Sequence, residues 1–307
     1  MELYFLRPSV YEKLYNCNIY SIDQVPIESR QHVIAGTIFM VLATIFIILY
    51  IPCLVALGKR LEQSCYKFLF FIGIVDVICL PICGLTTGYM AINGAVFCSY
   101  PTFFFFAGNF WFCWVTESST AVILALSRCF EVISPNLSRQ LFHGKKTWVW
   151  IAMTFLYGLC FVTFTKTSKF SSIEVAWFFN PHFGYIDDLN HKYANQWQTC
   201  HNIVICLAIC ILYILFIVIF VVKNSITNMP TIKAKNMSLA QKMFKLYIFT
   251  LGMPSVFFLT MNKTIRQDCL HMLFDLVKNK RVSSVKAIVV ATDNSKSQNA
   301  MTYIRKR

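Results

Sequence analysis

The chain has 307 residues, of which 57% are hydrophobic and only 14% charged, whereas a soluble domain carries about 25% charged residues. This composition excludes a soluble enzyme, a disordered scaffold and a small disulfide-rich secreted protein, and it indicates a chain that lies mostly in lipid. The net charge of +14 does not indicate a nucleic-acid partner, because ten of the 28 Lys and Arg residues follow Asn262 and no basic helix or zinc-ligand spacing accompanies them.

Six apolar runs are candidates for membrane-spanning helices, since a bilayer core needs roughly 20 apolar residues as helix. They lie near residues 33–58, 68–92, 101–126, 147–165, 200–222 and 246–262. Asn93-Gly94 is a turn signal that separates the second run from the third. The sixth run is short and is broken by Gly252 and Pro254. The predicted fold is therefore all-α, a multi-pass transmembrane helical bundle.

The second run contains the string Gly84-Leu85-Thr86-Thr87-Gly88. Small residues four positions apart allow two membrane helices to approach closely. The string predicts a packing face and gives no information about a ligand.

The Lys and Arg residues predict which side of the membrane each loop faces, because they are more frequent in cytoplasmic loops. With the N-terminus outside, the inner loops hold twelve Lys and Arg residues and the outer segments hold six. Residues 1–32 are therefore predicted to be extracellular. Six crossings would leave the basic residues 263–307 outside as well, against the charge rule. Either the sixth run does not cross, or one helix is absent from this sequence; we expect a cytoplasmic tail.

Several short strings together resemble one family. They are Tyr15-Asn16-Cys17, Tyr50-Ile51-Pro52-Cys53-Leu54, Ser64-Cys65-Tyr66-Lys67, Gly73-Ile74-Val75-Asp76, Gly94-Ala95-Val96-Phe97-Cys98, Ser127-Arg128-Cys129-Phe130-Glu131 and Asn262-Lys263-Thr264-Ile265-Arg266. In combination they resemble the nematode serpentine chemoreceptors of class T. The resemblance implies a receptor of the G-protein-coupled type with seven spans, which binds a small molecule and signals through a heterotrimeric G protein.

The sequence departs from the family near its last spans. Residues 243–266 leave room for one helix where the family has a sixth span and most of a seventh. A deletion or a missed exon between Phe249 and Gly252 would join the two and would explain the conflict between the number of crossings and the basic tail. The alternative to a signalling receptor is a truncated family member that does not signal, or a mis-spliced gene model.

Two acidic residues within the spans are candidates for a ligand pocket or a switch. Asp76 is the only charged residue of the second run, and a carboxylate in the membrane usually faces the bundle interior because exposure to lipid is costly. The resemblance implies that an acidic residue there holds a sodium ion or a polar switch network; the alternative is a protonated Asp76 bonded to a neighbouring helix. Glu117 is either a ligand contact or an interior packing group.

Trp111 and Trp114, three residues apart, are the aromatic candidates for the ligand pocket. Aromatic residues near a membrane interface are also common anchors in the interfacial belt, and this interpretation is favoured.

Arg128, at the inner end of the third run, resembles the arginine with which such receptors engage the G protein. Ser127 stands where the family pattern expects an acid, and Glu131 could pair with Arg128 at helical spacing.

The cysteines on the predicted outer side are Cys17, Cys98 and Cys200, and disulfides persist outside the cell. A Cys17–Cys98 bond would tie the N-terminal segment over the pocket, and a Cys98–Cys200 bond is the alternative.

Residues 266–278 have the spacing of an amphipathic helix on the inner leaflet, with Cys269 as a candidate lipidation site. No cysteine pair has a histidine at ligand spacing, so no metal or other cofactor is predicted.

The predicted function is thus a chemosensory receptor in the cell membrane, with the lipid bilayer, a G protein and a small ligand as partners. A transporter is less favoured, since transporters show internal repeats and paired broken helices, and only the last run here is broken. An enzyme is not predicted, because no HExxH or GxSxG motif and no clustered carboxylates occur.

Overall fold

The computed structural model describes residues 2–19, 21–186 and 188–226. Five helices in this part of the chain are long and apolar enough to cross a membrane: Ile27–Gly58, Ser64–Ile92, Pro101–Ile133, Lys146–Phe164 and Gln196–Ile219. The third of these five spans packs against the second, fourth and fifth, and the first packs against the second. The predicted multi-pass helical bundle is confirmed. The sixth predicted run, the tail and Cys269 lie outside the described residues.

The first span is a continuous helix, Val33–Gly58, with the bounds that the sequence predicts. Pro52 lies inside it, as proline does more often in membrane helices than in soluble ones. The residues before it form four short helical segments, Glu2–Phe5, Pro8–Leu14, Ile22–Gln24 and Ile27–Arg30.

The second span changes its helical geometry at Pro81. It consists of an α-helix, Ser64–Leu80, a wider π-helical turn, Pro81–Thr86, and a last α-helix, Thr87–Ile92. Proline has no backbone N–H and interrupts the regular ladder of hydrogen bonds. The Thr87 hydroxyl donates to the carbonyl of Ile82 at 3.0 Å, which satisfies one acceptor in the altered turn. The predicted turn follows, with Gly94 at a φ of 62°.

The third span is longer than predicted and ends at Ile133, not near residue 126. It comprises Pro101–Ala107, a tight turn Gly108–Phe110 and the helix Trp111–Ile133. Hydrophobicity alone placed the end too early, because Arg128 and Glu131 continue the helix as a charged pair. The helix stops at Ser134, whose extended backbone is typical of a residue before proline, and the short helix Pro135–Phe142 follows.

The fourth span is Lys146–Phe164, and the fifth helix is Gln196–Ile226. Between them, two short strands, Lys169–Ser171 and Ala176–Phe178, form an antiparallel hairpin that the sequence analysis did not predict. Phe170 of the first strand is fully buried in a cluster with Leu14, Phe97 and Phe104. The hairpin therefore packs on the N-terminal segment and on the start of the third span.

The small-residue string of the second span packs against the first, as predicted. Gly88 and Gly36 face each other so closely that a Cβ atom on either would lie 2.5 Å from the carbonyl oxygen of the other. Gly84 lies against Ala43 two turns further along the first span. Only residues without a large side chain permit this approach of the two backbones.

Candidate functional site

The described bundle has two ends with different chemistry. Residues 2–32, 93–100 and 165–195 meet at one end, which we call the amino-terminal side. Residues 59–63 and 134–145 meet at the other, which we call the opposite side. Between them, polar side chains lie within the spans.

The two acidic candidates meet in the interior of the bundle. Asp76 is only 9% exposed, and it interacts electrostatically with Glu117 of the third span. The hydroxyl of Tyr50, from the first span, donates to Asp76 Oδ2 at 2.5 Å. The structure thus joins three spans through one polar cluster, which we call the acidic cluster: Tyr50, Asp76 and Glu117.

Tyr50 belongs to one of the strings that carried the family resemblance, but the sequence analysis gave it no role. The signal that could have identified it is a tyrosine within an apolar run, because a buried tyrosine hydroxyl usually finds a hydrogen-bond partner. Which partner it finds depends on how the first and second spans pack, and local sequence does not determine that.

Thiols surround the acidic cluster. Cys79 lies 3.2 Å from Cys83, sulfur to sulfur, and interacts electrostatically with Cys113 of the third span. Cys53 is fully buried in the first span. Within residues 2–226 as described, no group of three or more His, Cys, Asp and Glu side chains could hold a metal ion.

On the opposite side, Arg128 forms an ion pair with Glu131, with 2.5 Å between Nη1 and Oε2. This is the pairing that the helical spacing predicts. Cys65, at the start of the second span, interacts electrostatically with Arg128 and lines the same cavity. Ser127 is buried, and its hydroxyl donates to the carbonyl of Leu124. Arg128 is therefore held by the second and third spans, although the usual neighbouring acid is absent.

Arg128 lies at the wall of a cavity of about 430 Å³ on the opposite side. Hydrogen bonds fix the loop that closes this cavity: the Ser64 hydroxyl and the Thr147 hydroxyl both donate to the carbonyl of Phe142. Lys67 Nζ donates to the carbonyl of Gly144 at 2.7 Å. The lining is mostly polar and comprises Glu62, Gln63, Ser64, Cys65, Ser127, Arg128, Glu131, Pro135, Ser138, Arg139, Phe142 and His143.

On the amino-terminal side, a disulfide joins Cys17 to Cys98. It fixes the N-terminal segment to the loop that precedes the third span. Cys200, the alternative partner, is an exposed free cysteine of the fifth span. Beside the disulfide, Tyr15 is buried against Phe97.

Lys169 is buried beneath this segment with 1% of its surface exposed. Its ammonium nitrogen lies 5.0 Å from the ring centroid of Tyr15, 5.4 Å from that of Phe105 and 5.8 Å from that of Phe97. It also donates to the hydroxyl of Thr167. Burial lowers the pKa of Lys169 to about 7, and the three ring faces, which attract a cation, act in the opposite direction.

Near the amino-terminal side, the indole N–H groups of both tryptophans donate hydrogen bonds to side chains of other segments of the chain. Trp111 Nε1 donates to the Ser168 hydroxyl at 2.5 Å, and its ring stacks on Phe179. Trp114, with 37% of its surface exposed, donates to Asn202 Oδ1 of the fifth span at 3.1 Å. Trp111 therefore packs on the loop between the fourth and fifth spans, and Trp114 links the third and fifth.

The fifth span carries a histidine, His201, that the sequence analysis did not select; it contacts Ser118, which lies one turn after Trp114 on the third span. His201 is 6% exposed, and its ring nitrogens lie 3.0 Å from the Ser118 hydroxyl and 3.1 Å from the Tyr157 hydroxyl. These contacts connect the third, fourth and fifth spans. Its position at the start of an apolar run was the available signal, but its partners come from two other helices.

We expect the Cys17–Cys98 bond in the protein isolated from the cell surface, because both cysteines lie on one side and already contact each other. In the chain-entropy account, closing a loop of 81 residues stabilises the folded state by about 4.5 kcal/mol. Mass spectrometry of non-reduced peptides checks this expectation. Recovery of both residues as free thiols, or of a peptide that links Cys98 to Cys200, would contradict it.

Comparison with known proteins identifies the family. The family of serpentine type 7TM GPCR chemoreceptors called Srt matches residues 2–251. Serpentine receptor class T-55 of Caenorhabditis elegans is 23% identical over 239 residues. The aligned part covers 68% of this chain and 65% of that receptor, so the chain matches less than two thirds of its length. The family match extends over most of the chain and includes every described span, and the chain therefore belongs to the Srt family of serpentine chemoreceptors.

Proposed function

We propose that this protein is a chemosensory receptor that binds a small organic ligand on the amino-terminal side and activates a heterotrimeric G protein on the opposite side. The proposal rests on the acidic cluster, which is found here in a member of a receptor family. It connects the first three spans between the two ends of the bundle. A ligand activates such a receptor by binding one arrangement of the spans more tightly than another.

Two features support a ligand site on the amino-terminal side. The disulfide and the hairpin build an ordered cap over the bundle. Below the cap, Trp111, Trp114 and His201 combine apolar surface with hydrogen-bonding groups, which is the usual composition of a small-molecule site.

The cavity beside Arg128 supports G-protein contact on the opposite side. The residues that line it are mostly polar, which suits contact with a protein partner better than contact with lipid. The Arg128–Glu131 pair is partly exposed there, with 38% and 59% of the two side chains accessible, so a partner can compete for either charge.

We also propose that the amino-terminal side is extracellular and that the tail is cytoplasmic, in accord with the distribution of Lys and Arg. Lys192→Thr creates a glycosylation acceptor at Asn190 in the loop between the fourth and fifth spans. The natural acceptor string Asn136-Leu137-Ser138 on the opposite side is the matched control. We expect glycan on Asn190 and none on Asn136; the reverse pattern would contradict this orientation.

The receptor function is tested by expressing the chain on cultured cells and applying a panel of small organic compounds. We expect at least one compound to evoke a G-protein response.

Asp76→Asn, at matched surface expression, should change the basal or the evoked response, because it removes a charge from the acidic cluster. The absence of any response from correctly inserted protein would favour the alternative, a family member that does not signal.

A further inference from the structure

A second buried histidine, His182, lies between the hairpin and the fifth span, in residues 179–195, which we call the linking segment. Only 3% of its surface is exposed. The centre of its ring lies 5.5 Å from that of Tyr185 and 6.3 Å from that of Tyr193. The hydroxyl of Tyr193 donates to the carbonyl of Leu14 at 2.9 Å. His182 is therefore enclosed where the linking segment is bonded to the N-terminal segment.

The two ring nitrogens of His182 have different surroundings. Nδ1 lies 2.9 Å from the hydroxyl oxygen of Tyr185, whose own O–H donates to the carbonyl of Pro181 at 3.3 Å. This network assigns the hydrogen of the neutral ring to Nδ1, which donates to the Tyr185 oxygen. Nε2 is buried and has no hydrogen-bond partner in the described part of the chain. A proton on Nε2 would therefore create a buried N–H without an acceptor, on a ring that has become a cation, and this is costly.

The titratable groups that face the His182 ring are uncharged at neutral pH. Burial raises the pKa of the phenols of Tyr185 and Tyr193, so both stay protonated. Cys98 Sγ, which lies 3.8 Å from the Tyr185 hydroxyl, belongs to the disulfide and does not titrate. These neighbours offer no negative charge to an imidazolium.

The charged side chains nearby do not compensate a charge on His182 either. Asp188 accepts hydrogen bonds from the backbone N–H groups of Lys192 and Tyr193, at 2.8 and 2.9 Å. The ammonium group of Lys192 lies 5.9 Å from the centre of the Tyr193 ring, and Lys169 is buried beneath the N-terminal segment. Both lysines are cations and would repel an imidazolium. Among the described residues, no acidic side chain forms an ion pair with His182.

We propose that His182 is a pH-sensitive switch that holds the linking segment against the N-terminal segment at neutral pH and releases it at acidic pH. When a proton from solvent binds Nε2, the imidazolium needs water, and water reaches it only if the contacts of Tyr185 and Tyr193 open. Both tyrosines also line a cavity of about 730 Å³ in the linking segment, so its shape would change on release. This inference does not depend on ligand binding or on G-protein coupling.

The direction of the pH dependence follows from the burial of the ring. Burial lowers the pKa of His182 below its ordinary value, which is about 6.5 and applies to the released segment. The neutral ring therefore stabilises the closed arrangement fully above the ordinary pKa, and this stabilisation is lost as the pH falls below it. Below both pKa values, opening is favoured roughly tenfold more for each unit by which burial lowers the pKa.

The test is hydrogen–deuterium exchange of the full-length protein in lipid nanodiscs, followed by mass spectrometry, at neutral pH and at about pH 5. The reporters are the amides of Tyr185 and Ile186, which donate to the carbonyl of His182 at 3.2 and 2.9 Å. Exchange of the same peptides after digestion corrects for the direct effect of pH on the chemistry. We expect faster corrected exchange at acidic pH in the linking segment and no change in the fourth span. Equal corrected exchange of the reporters at the two pH values would overturn the proposal.

Two variants assign the effect to His182. In His182→Asn the side-chain amide replaces Nδ1 and does not bind a proton in this pH range, so the acceleration at acidic pH should be lost. His191→Asn is the matched control, because His191 is an exposed histidine of the same segment with a φ of 50°, which asparagine tolerates. We expect it to keep the acceleration. The same acceleration in His182→Asn as in wild type, or its loss in His191→Asn, would overturn the assignment.

A second measurement needs no variant and decides the matter if His182→Asn does not fold. The slow exchange of the carbon-bound ring hydrogen of histidine, followed by mass spectrometry across a pH series, gives the pKa of each histidine in the wild-type protein. We expect a lower pKa for His182 than for His191. Equal values, or a higher value for His182, would overturn the proposal.

Discussion

Gly88→Ala is expected to destabilise the protein by about 1 to 3 kcal/mol, the usual cost of forcing extra atoms into a packed interior. The new Cβ would lie 2.5 Å from the carbonyl oxygen of Gly36 and 2.5 Å from Cγ of Met40. The methionine side chain can move, but the backbone oxygen is fixed in the first span. The first and second spans must therefore separate, which strains the hydrogen bond between Tyr50 and Asp76.

The measurement is the amount of protein at the cell surface, together with thermal unfolding of the purified protein in detergent. Gly58→Ala is the matched control in the first span, because its Cβ would lie 3.6 Å from the nearest atom, on Phe70. We expect the control to behave as wild type. Equal melting of Gly88→Ala and Gly58→Ala would show that the close packing at Gly88 and Gly36 is not required.

Arg128→Ala is expected to reduce G-protein activation while leaving the surface level unchanged. Arg128 pairs with Glu131 of its own span, and it lines the cavity on the opposite side together with Cys65 of the second span. Loss of one coupling contact between two states is worth about 1 to 3 kcal/mol, or roughly five- to 150-fold. We expect a loss within this range in activated G protein per receptor at the surface.

Lys59→Ala is the matched control for this experiment. Lys59 is an exposed cation on the same side of the bundle, directly after the first span, and it is not among the residues that line the cavity. Its loss removes the same charge without the contacts to the second and third spans. If both variants reduce activation equally, the effect comes from the net charge of this surface and not from Arg128.

The bounds of the spans could be predicted where hydrophobicity alone determines them. The first span begins at Val33 and ends at Gly58 because a continuous apolar run stops at Lys59 and Arg60. The third span shows the limit of this rule. Its last two turns carry Arg128 and Glu131, which stabilise each other on the helix surface, so the helix continues past the apolar run to Ile133.

The hairpin could not be predicted from its own residues. The strands Lys169–Ser171 and Ala176–Phe178 have three residues each, which is too short for a clear alternation of polar and apolar positions. Their stability comes from contact with Phe97, Phe104 and the N-terminal segment, which lie far away in the sequence. Tertiary packing, and not local sequence, therefore determines that these residues form a hairpin.

The acidic cluster was predictable in its parts and not as a whole. Asp76 and Glu117 could be selected from the sequence because each is an acid in an apolar run. Their interior position could be predicted from the cost of exposing a charge to lipid. Their contact depends on the rotation of the second and third spans about their own axes. That rotation follows from packing along the whole length of both helices, and for the second span also from its close contact with the first span at Gly88.

We propose that this member of the Srt family activates a heterotrimeric G protein, and guanine-nucleotide exchange on that G protein, in membranes that contain the full chain, measures this activity. We expect faster exchange in these membranes than in membranes without the protein, and a return towards the unstimulated rate with Arg128→Ala. Equal rates with wild-type protein, with Arg128→Ala and with no receptor, for correctly inserted protein and across the compound panel, would contradict it.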